Sequence, residues 1–379
     1  MKQAGRTATG EWKAIEEGGF AFHPDPLPPK IEWDVALVSA LSRADIEIGK
    51  LTGEAKRLPN PHVLIRPYAR REAVYSSKIE GTQATLGEIL AVEAGAKVER
   101  SPDDIREVNN YVQALEYGLE RVHALPISKR LILELHEILM QGVRGDHAHP
   151  GKFRTIQNWI GPLGCSIKNA SFVPPPPQHL QDCLNEWERY VHEGDLPVLL
   201  HAALIHYQFE TIHPFLDGNG RIGRLLITLL LIERGIMDGP FLYLSASFEA
   251  NRTQYYQCLR EVSENGDWKQ WFLFFLNAVE HQAGDAMKRS QLINAQLDEW
   301  RNQLHGKRPV ILPRILDLIA TNPYLTARKV QSALEVAYNT ASKAIQVLQS
   351  EDILIPVDDR QRDRVYVSSR LLEILEDPL

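Results

Sequence analysis

The feature that most constrains the fold is a short, strongly apolar segment, residues 225–232 (LLITLLLI), with Arg224 before it and Glu233 after it. As a helix, eight residues are about 12 Å long, which is too short for the ~30 Å hydrocarbon core of a membrane. A helix that is apolar on every side has to be covered on every side. The segment therefore predicts a buried core helix of a soluble protein.

The composition fits a globular protein of two or three domains. The chain has 379 residues, 44% of them hydrophobic and 24% charged, which excludes a mostly disordered or collagen-like chain. A net charge of −7 is unusual for a protein that coats nucleic acid. Residues 1–13 have no apolar core and are not a secretory signal. The three widely spaced cysteines, Cys165, Cys183 and Cys258, indicate neither zinc nor a disulfide framework and favour a reducing cytoplasm.

Apolar residues recur at intervals of three and four over most of the chain, which is the pattern of amphipathic helices. We predict helices over residues 30–51, 67–80, 85–94, 102–125, 128–141, 178–193, 197–211 and 219–234. Residues 151–177 differ, because glycines, prolines and a β-forming run (FRTIQNWI) predict a short hairpin, or flap. Beyond residue 306, three helices and two alternating runs, ILIPV and RVYV, predict a winged helix-turn-helix.

One segment, residues 212–224 (IHPFLDGNGRIGR), has the residue types of phosphate chemistry. Residues 218–220 form a tight turn that opens the apolar helix, where unpaired N–H groups and the helix dipole make an anion site. Arg221 and Arg224 lie near one another on one side of the helix and can contact phosphate oxygens. Asp217 precedes the turn, where a carboxylate can hold Mg²⁺, and His213 can act as a general base.

Each of these residues also has a structural interpretation. His213 could cap a helix or pack in the core, and Asp217 could be only an N-cap. The glycines could simply build a loop, and the two arginines could be solvated surface charges. It is their concentration in one short segment that favours a functional site.

The segment also resembles a known signature. HPFLDGNGRIGR resembles HPFx[DE]GN[GK]RxxR of the Fic domain family at every fixed position. PGKFR with the downstream FVPPPP resembles the family's target-docking hairpin, and NRTQYYQCL and GDWKQWFLFFL resemble the helices that follow the signature. The resemblance covers about residues 20–290. It implies a mainly α fold, a Fic-type helical bundle with a short β-hairpin flap, followed by the small winged helix-turn-helix domain.

The resemblance implies a protein adenylyltransferase, which moves AMP from ATP to a Ser, Thr or Tyr hydroxyl of a target protein or of itself. His213 would be the general base, and Asp217 would coordinate Mg²⁺ or Mn²⁺. The phosphates would lie on the helix start, whose residues are Gly218, Asn219, Gly220, Arg221, Ile222, Gly223 and Arg224. The backbone N–H groups and the Asn219 amide would cradle the phosphates, and the two arginines would neutralise them.

Tyr255 and Tyr256 match the tyrosine pair that the family places near the adenine. Ordinary helix packing is the alternative interpretation of both rings.

A second motif, SSKIEG at residues 76–81, resembles the family's inhibitory pattern [ST]xxxE[GN]. Ser76 and Glu80 lie four residues apart and share one helix face. Glu80 would occupy Arg224 and displace the γ-phosphate, with Ser76 orienting Glu80. The alternative is a surface carboxylate near a helix end. The expected division is an N-terminal helical region with this motif (1–110), a Fic catalytic domain (111–300) and the winged helix-like domain (306–379).

A competing function is a nucleotide-sensing, DNA-binding transcriptional regulator. From residue 306 onward the chain has ten basic and ten acidic residues, so this segment is neutral and could bind protein as well as DNA. Its candidate DNA contacts are Arg328, Lys329, Lys343, Arg360, Arg362 and Arg364. A third alternative is altered Fic chemistry, such as kinase-like transfer, phosphocholine transfer or removal of AMP. The resemblance also implies a homodimer, and no membrane partner is expected.

Overall fold

The computed structural model describes residues 4–57, 62–143, 149–162, 164–357 and 363–376. Most of these residues are helical, as the periodicity predicts. The helices are α1 (Val35–Arg57), α2 (His62–Ile79), α3 (Leu86–Ala94), α4 (Pro102–Arg121), α5 (Lys129–Leu139), α6 (Pro177–Glu193), α7 (Val198–Ile212), α8 (Asn219–Glu233), α9 (Ser245–Ala250), α10 (Arg252–Asn265), α11 (Trp268–Gln303), α12 (Leu312–Thr321), α13 (Ala327–Leu334), α14 (Tyr338–Ser350) and α15 (Ser369–Glu376). The strands are β1 (Gly5–Arg6), β2 (Gly10–Ala14), β3 (Phe20–Pro24), β4 (Tyr324–Thr326), β5 (Ile355–Pro356) and β6 (Val365–Val367).

The apolar segment is part of α8, and every residue from Arg221 to Ile232 is buried, so the predicted core helix is confirmed. Helices α2, α4, α5 and α7 pack around α8. Gly118 in α4 allows one close approach, because a Cβ there would lie 2.8 Å from a methyl carbon of Leu229. The signature segment therefore lies at the start of a helix that the bundle encloses. No helix in the described parts of the chain is both long and apolar enough to cross a membrane.

Residues 5–24 are not helical, although they fall within the region 1–110 that is expected to be helical. They contain an antiparallel sheet in the order β1-β2-β3, with Trp12 opposite Phe22. These two rings pack against Phe172, and the Phe22 N–H donates to the Val173 carbonyl at 2.9 Å. The strands are short and rich in glycine and charge, so their alternation is too weak to detect in the sequence.

The predicted flap hairpin over residues 151–177 is minimal, because its two arms pair through one reciprocal pair of hydrogen bonds among the residues described there. Its one antiparallel bridge among the residues described there joins Ile160 to Phe172, and a 3₁₀ turn lies at Ile167–Asn169. A ladder cannot extend from this bridge, since Gly161 and Pro162 follow it on one side and four consecutive prolines begin at residue 174 on the other. The loop is held by the N-terminal sheet instead.

The C-terminal segment contains the three predicted helices, α12, α13 and α14, and the two predicted strands, β5 and β6. A third strand, β4, lies next to β6, so the sheet order is β4-β6-β5. The winged-helix identity of this segment stays a prediction. Helix α12 packs against α2, and β4 packs against α3, so the segment contacts the N-terminal helices.

Candidate active site

His213 ends α7 in the left-handed backbone conformation, with φ 49° and ψ 61°. Its Nδ1 lies 3.2 Å from the Glu210 carbonyl oxygen. Because a carbonyl oxygen only accepts hydrogen bonds, this contact places the ring proton on Nδ1 and leaves Nε2 able to accept one. Burial lowers the pKa of His213 to about 4, so the imidazole is neutral near pH 7. This arrangement suits a general base.

The turn between His213 and α8 is closed by Asn219. Its Oδ1 accepts from the Phe215 N–H at 2.8 Å, and its Nδ2 donates to the Phe215 carbonyl at 2.9 Å. Both polar atoms of the amide thus shape the loop, and a phosphate contact from the second Nδ2 hydrogen stays a prediction. Gly218 has a φ of 78°, the left-handed region in which a residue without Cβ is favoured.

Arg221 brings a buried guanidinium to the helix start. Its side chain is buried, and its Nε and Nη1 have no hydrogen-bond partner among the described residues. The nearest carboxylates are 3.5 Å (Asp217) and 3.8 Å (Glu107) from its terminal nitrogens. Buried guanidinium donors without partners are costly, and an anion at the start of α8 would satisfy them.

Asp217 is the candidate metal ligand. Its side chain is 50% exposed, and its Oδ1 accepts from the Gly218 N–H at 2.6 Å. No cluster of three or more metal-ligating side chains exists within the described ranges. A single accessible carboxylate fits Mg²⁺, which is commonly held by one or two carboxylates together with water and substrate phosphates.

Arg224 donates three hydrogen bonds to the SSKIEG motif. Its Nε donates to Ser76 Oγ at 3.0 Å, and its Nη2 donates to the Ser76 carbonyl at 2.8 Å and to Glu80 Oε1 at 2.7 Å. Burial alone would raise the pKa of Glu80, but Arg224 outweighs burial and holds this pKa below its ordinary value. Burial likewise opposes the charge of Arg224, yet Glu80 raises the pKa of the guanidinium.

The Glu80 carboxylate lies directly over the start of α8. A Cβ on Gly220 would be 2.3 Å from Glu80 Oε1 and 2.8 Å from Arg224 Nη1. The carboxylate therefore occupies the helix end at which an anion would bind. Gly220 has no side chain, and this leaves the space in which the Glu80 carboxylate contacts Arg224.

Behind this contact lies a buried network that the sequence analysis missed. Glu72 accepts from the Tyr111 hydroxyl at 3.2 Å and from the Ser245 N–H at 3.1 Å, and also from the Ser245 hydroxyl. Burial raises the pKa of Glu72. These bonds tie α2 to α4 and to the start of α9. A signal existed, because residues 72 and 76 lie four apart on one face of α2, and Glu80 follows at the same interval just beyond its end.

The structure separates the two candidate adenine residues. Tyr255 is buried, and its hydroxyl lies 2.8 Å from His206 Nε2. This ring therefore packs between helices, as in the alternative interpretation. Tyr256 is 37% exposed, and the Arg252 guanidinium lies 5.9 Å from its ring centroid. A contact with adenine stays a prediction for Tyr256.

Two other predicted ligand contacts face the core. Ile222 is fully buried, and Gly223 packs against α7, since a Cβ there would lie 2.3 Å from Glu210 Oε1. Among the candidate DNA contacts, Arg328 pairs with Asp363, and Lys329 donates to the Glu93 carbonyl. Lys343 is exposed, whereas Arg360 and Arg362 lie outside the described residues.

Three side chains outside the signature hold the loop that contains His213. Arg154 Nε donates to the His213 carbonyl at 2.9 Å, and Asn158 Nδ2 donates to the Phe215 carbonyl at 2.8 Å. His136 stacks on Phe215 with ring centroids 3.7 Å apart, and its Nε2 lies 3.1 Å from the Asp217 carbonyl oxygen. The sequence gives no local sign of these contacts, because each is made to a backbone carbonyl or a ring face.

Family models and known proteins agree with this geometry. The model "Fic/DOC family N-terminal" matches residues 38–120, and the model "Fic/DOC family" matches residues 126–231. The chain is 31% identical over 223 residues to "Protein adenylyltransferase Fic" of Drosophila virilis, and 30% identical to the protein of that name from Drosophila melanogaster. Each match covers 56% of this chain and 42% of the relative, so the chain spans less than half of the length of these relatives.

Solved structures show the same fold. A Fic family protein from Desulfovibrio desulfuricans superposes with a TM-score of 0.60 at 21% identity, over 90% of this chain and 98% of that one. A Fic domain containing signaling protein from Bacteroides thetaiotaomicron gives a TM-score of 0.52 at 21% identity, over 66% of this chain and 96% of that one. At these identities the likeness concerns the fold alone.

Proposed function

Because this chain belongs to the Fic/DOC family, we propose that it is an autoinhibited protein adenylyltransferase, which transfers AMP from ATP to a hydroxyl of a target protein. The observation that carries the proposal is the arrangement around the start of α8. A neutral imidazole whose Nε2 carries no proton lies on one side. The buried donors of Arg221 and the guanidinium of Arg224, which Glu80 occupies, lie on the other.

In the proposed reaction, the target hydroxyl oxygen attacks the α-phosphorus of ATP. His213 Nε2 takes the hydroxyl proton as the new O–P bond forms. The bond between the α-phosphorus and the oxygen that bridges to the β-phosphate breaks, and pyrophosphate leaves. Arg221 and the N–H groups at the start of α8 stabilise the charge on the phosphates.

A divalent cation, Mg²⁺ or Mn²⁺, would be held by Asp217 together with the phosphates. When bound, it would supply charge neutralisation at the phosphate oxygens. Asp217 suits this role because its carboxylate is half exposed and lies one residue before the turn. Replacing Asp217 with Ala should leave too little transfer activity for added Mg²⁺ to stimulate.

We further propose that Glu80 inhibits transfer. The carboxylate binds Arg224 and lies against Gly220, so a phosphate and Glu80 cannot use the same guanidinium and helix end together.

The proposed location of the protein is the cytoplasm. The three free cysteines agree with this location.

The test is incorporation of label from α-³²P-ATP with Mg²⁺ or Mn²⁺, into the protein itself and into proteins of a cell lysate. A Glu80→Gly background makes transfer measurable, and His213→Ala in that background should lower it by ~10²–10⁴-fold. ATP affinity, measured by calorimetry, should change little. The control is His192→Ala, which removes an exposed imidazole from the end of α6.

Undiminished labelling by the His213 variant would refute the proposed base. A later decrease of the label, after ATP is removed, would reveal removal of AMP by the same site. Light scattering on the same sample tests the homodimer.

A further inference from the structure

Arg154 is a buried cation with an unusual set of partners. Its side chain is 3% exposed, and its guanidinium donates to backbone carbonyls rather than to a carboxylate. Nε donates to His213 O at 2.9 Å, and Nη2 donates to Pro175 O at 2.5 Å and to Ile212 O at 3.3 Å. In the part of the chain that the structure describes, no carboxylate forms an ion pair with it. Burying an unpaired charge is costly, so local dipoles have to replace the missing water.

The same residue is fixed through its backbone. The Arg154 N–H donates to the Pro214 carbonyl at 2.9 Å. The carbonyls of residues 212, 213 and 214 therefore all accept hydrogen bonds from this one residue. A fourth contact of the side chain, longer at 3.4 Å, joins Nη1 to the Ile156 carbonyl. Arg154 thus joins both ends of the flap loop to the backbone that carries the imidazole.

The His213 backbone needs such support. A histidine at a φ of 49° is in a conformation that residues with a Cβ rarely adopt, and such conformations persist only when surrounding contacts enforce them. Two side chains donate to the His213 carbonyl: Arg154 at 2.9 Å and Asn158 at 3.3 Å. Asn158 is neutral, and Arg154 is charged. Burial lowers the pKa of Arg154 only to about 10, so it stays a cation near pH 7.

We propose that Arg154 is a positioning residue for the transfer reaction: it holds His213 in its left-handed conformation and joins this base to the flap loop as one rigid unit. This inference rests on the proposed function of His213. As a consequence, a target protein that docks on the flap loop is held at a fixed position relative to His213, which receives the proton of the target hydroxyl.

A second consequence concerns charge. The groups that act on the His213 ring are the Glu210 carbonyl, the Glu80 and Asp217 carboxylates, and the Arg154 guanidinium. Burial, which lowers the pKa of His213, is the largest influence. Arg154 also lowers this pKa, whereas the two carboxylates and the Glu210 carbonyl raise it. Removing Arg154 should therefore move the pKa of His213 upward, and removing Asn158 should not.

The experiment compares Arg154→Met, Arg154→Lys and Asn158→Ala, each with the Glu80→Gly change. The pKa of His213 is measured by NMR titration of ¹³C-labelled imidazole, assigned by comparison with His213→Ala. We expect a higher pKa in Arg154→Met, a low pKa in Arg154→Lys because its charge remains, and an unchanged pKa in Asn158→Ala. An unchanged pKa in a folded Arg154→Met variant would overturn the inference.

The second readout is the rate of self-labelling from α-³²P-ATP. Arg154→Met and Arg154→Lys should each lose about tenfold or more in rate, with ATP affinity unchanged within twofold, because neither side chain reaches three carbonyls. The acid limb of the pH–rate profile should move to higher pH in Arg154→Met alone. Full rate in Arg154→Lys would show that geometry is not what Arg154 contributes. The NMR titration does not depend on AMP transfer, so it separates failure of this inference from failure of the proposed function.

Discussion

At the scale of single residues, the most consequential contact is that of Glu80 with Arg224. Glu80→Gly removes the carboxylate at 2.7 Å and leaves the His213 loop untouched. Self-labelling should rise about tenfold or more, since relief of ~1.4 kcal/mol is sufficient for that factor. Glu80→Gln is the matched variant, because it keeps the size of the side chain and removes its charge. The double variant Glu80→Gly with Arg224→Ala should lose the gain. Equal labelling of wild type and Glu80→Gly would mean that Glu80 does not inhibit transfer and is only a carboxylate at a helix end.

A second prediction at this scale concerns Glu210. Its Oε1 is buried without a hydrogen-bond partner among the described residues, and burial raises its pKa to about 7. A carboxyl whose pKa is raised by folding favours the folded state below its unfolded pKa of about 4.5, and this contribution is lost as pH rises through 7. Glu210→Gln should therefore become more stable, relative to wild type, between pH 6 and pH 8.5. Urea unfolding at both pH values measures this change.

The matched control for Glu210 is Glu134→Gln. Hydrogen bonds from Tyr117, followed by those from Arg121 and Arg130, lower the pKa of Glu134 to about 2, so it is ionised over the whole range. The stability difference between this variant and wild type should not change from pH 6 to pH 8.5. A constant difference for Glu210→Gln as well would contradict the raised pKa.

The sequence predicted the residues around the proposed phosphate site better than it predicted the residues that support them. The signature segment is local, so its spacing alone placed His213, Asp217 and the two arginines near one turn. Arg154 and His136 act through carbonyls and ring faces of that turn. Every residue has a carbonyl, so such contacts leave no pattern in a sequence, and only the fold reveals them.

At the scale of elements, α2 presents two adjacent buried serines that allow a matched comparison. Ser76 Oγ accepts from Arg224 Nε at 3.0 Å, whereas Ser77 Oγ has no hydrogen-bond partner in the described residues. Ser76→Ala should raise self-labelling, because Arg224 loses one of the bonds that hold it toward α2 and away from phosphate. Ser77→Ala should leave labelling unchanged. If the two variants changed labelling equally, the hydrogen bond between Ser76 and Arg224 would not be the cause, and the effect would come from altered packing of α2.

The same helix shows where element prediction succeeds. The periodicity located α2, α7 and α8 because each buries a stripe or a whole surface. The predicted start of α2 at Pro67 was wrong, since the helix begins at His62 and Pro67 lies inside it. Proline is favoured in the first turn but does not always mark it. The sheet β1–β3 was missed because its strands are short and its rings pack against Phe172, about 150 residues further along the chain.

At the scale of the whole molecule, the C-terminal segment is packed onto the helices that precede it. The Gly87 N–H donates to Glu376 Oε1 at 2.7 Å, and Asn322 Nδ2 donates to the Leu90 carbonyl at 3.1 Å. The Arg289 guanidinium in α11 donates to the Ile374 carbonyl. One continuous cluster of buried apolar residues extends from Leu37 to Leu375. These contacts favour one cooperative unit over the independent C-terminal domain that the sequence suggests.

Leu316→Ala tests this cooperativity. Leu316 is fully buried in α12, the helix that packs against α2, so its truncation should cost about 2–5 kcal/mol of unfolding free energy. Val310→Ala is the control, because Val310 is 82% exposed and its loss should cost little. In calorimetry, wild type should unfold in a single transition, and Leu316→Ala should shift the whole of it to lower temperature. If α12 belonged to an independent domain, two transitions would appear, and only one would move. A single shifted transition would also mean that changes in the C-terminal segment reach α2, the helix that carries Ser76 and leads into Glu80.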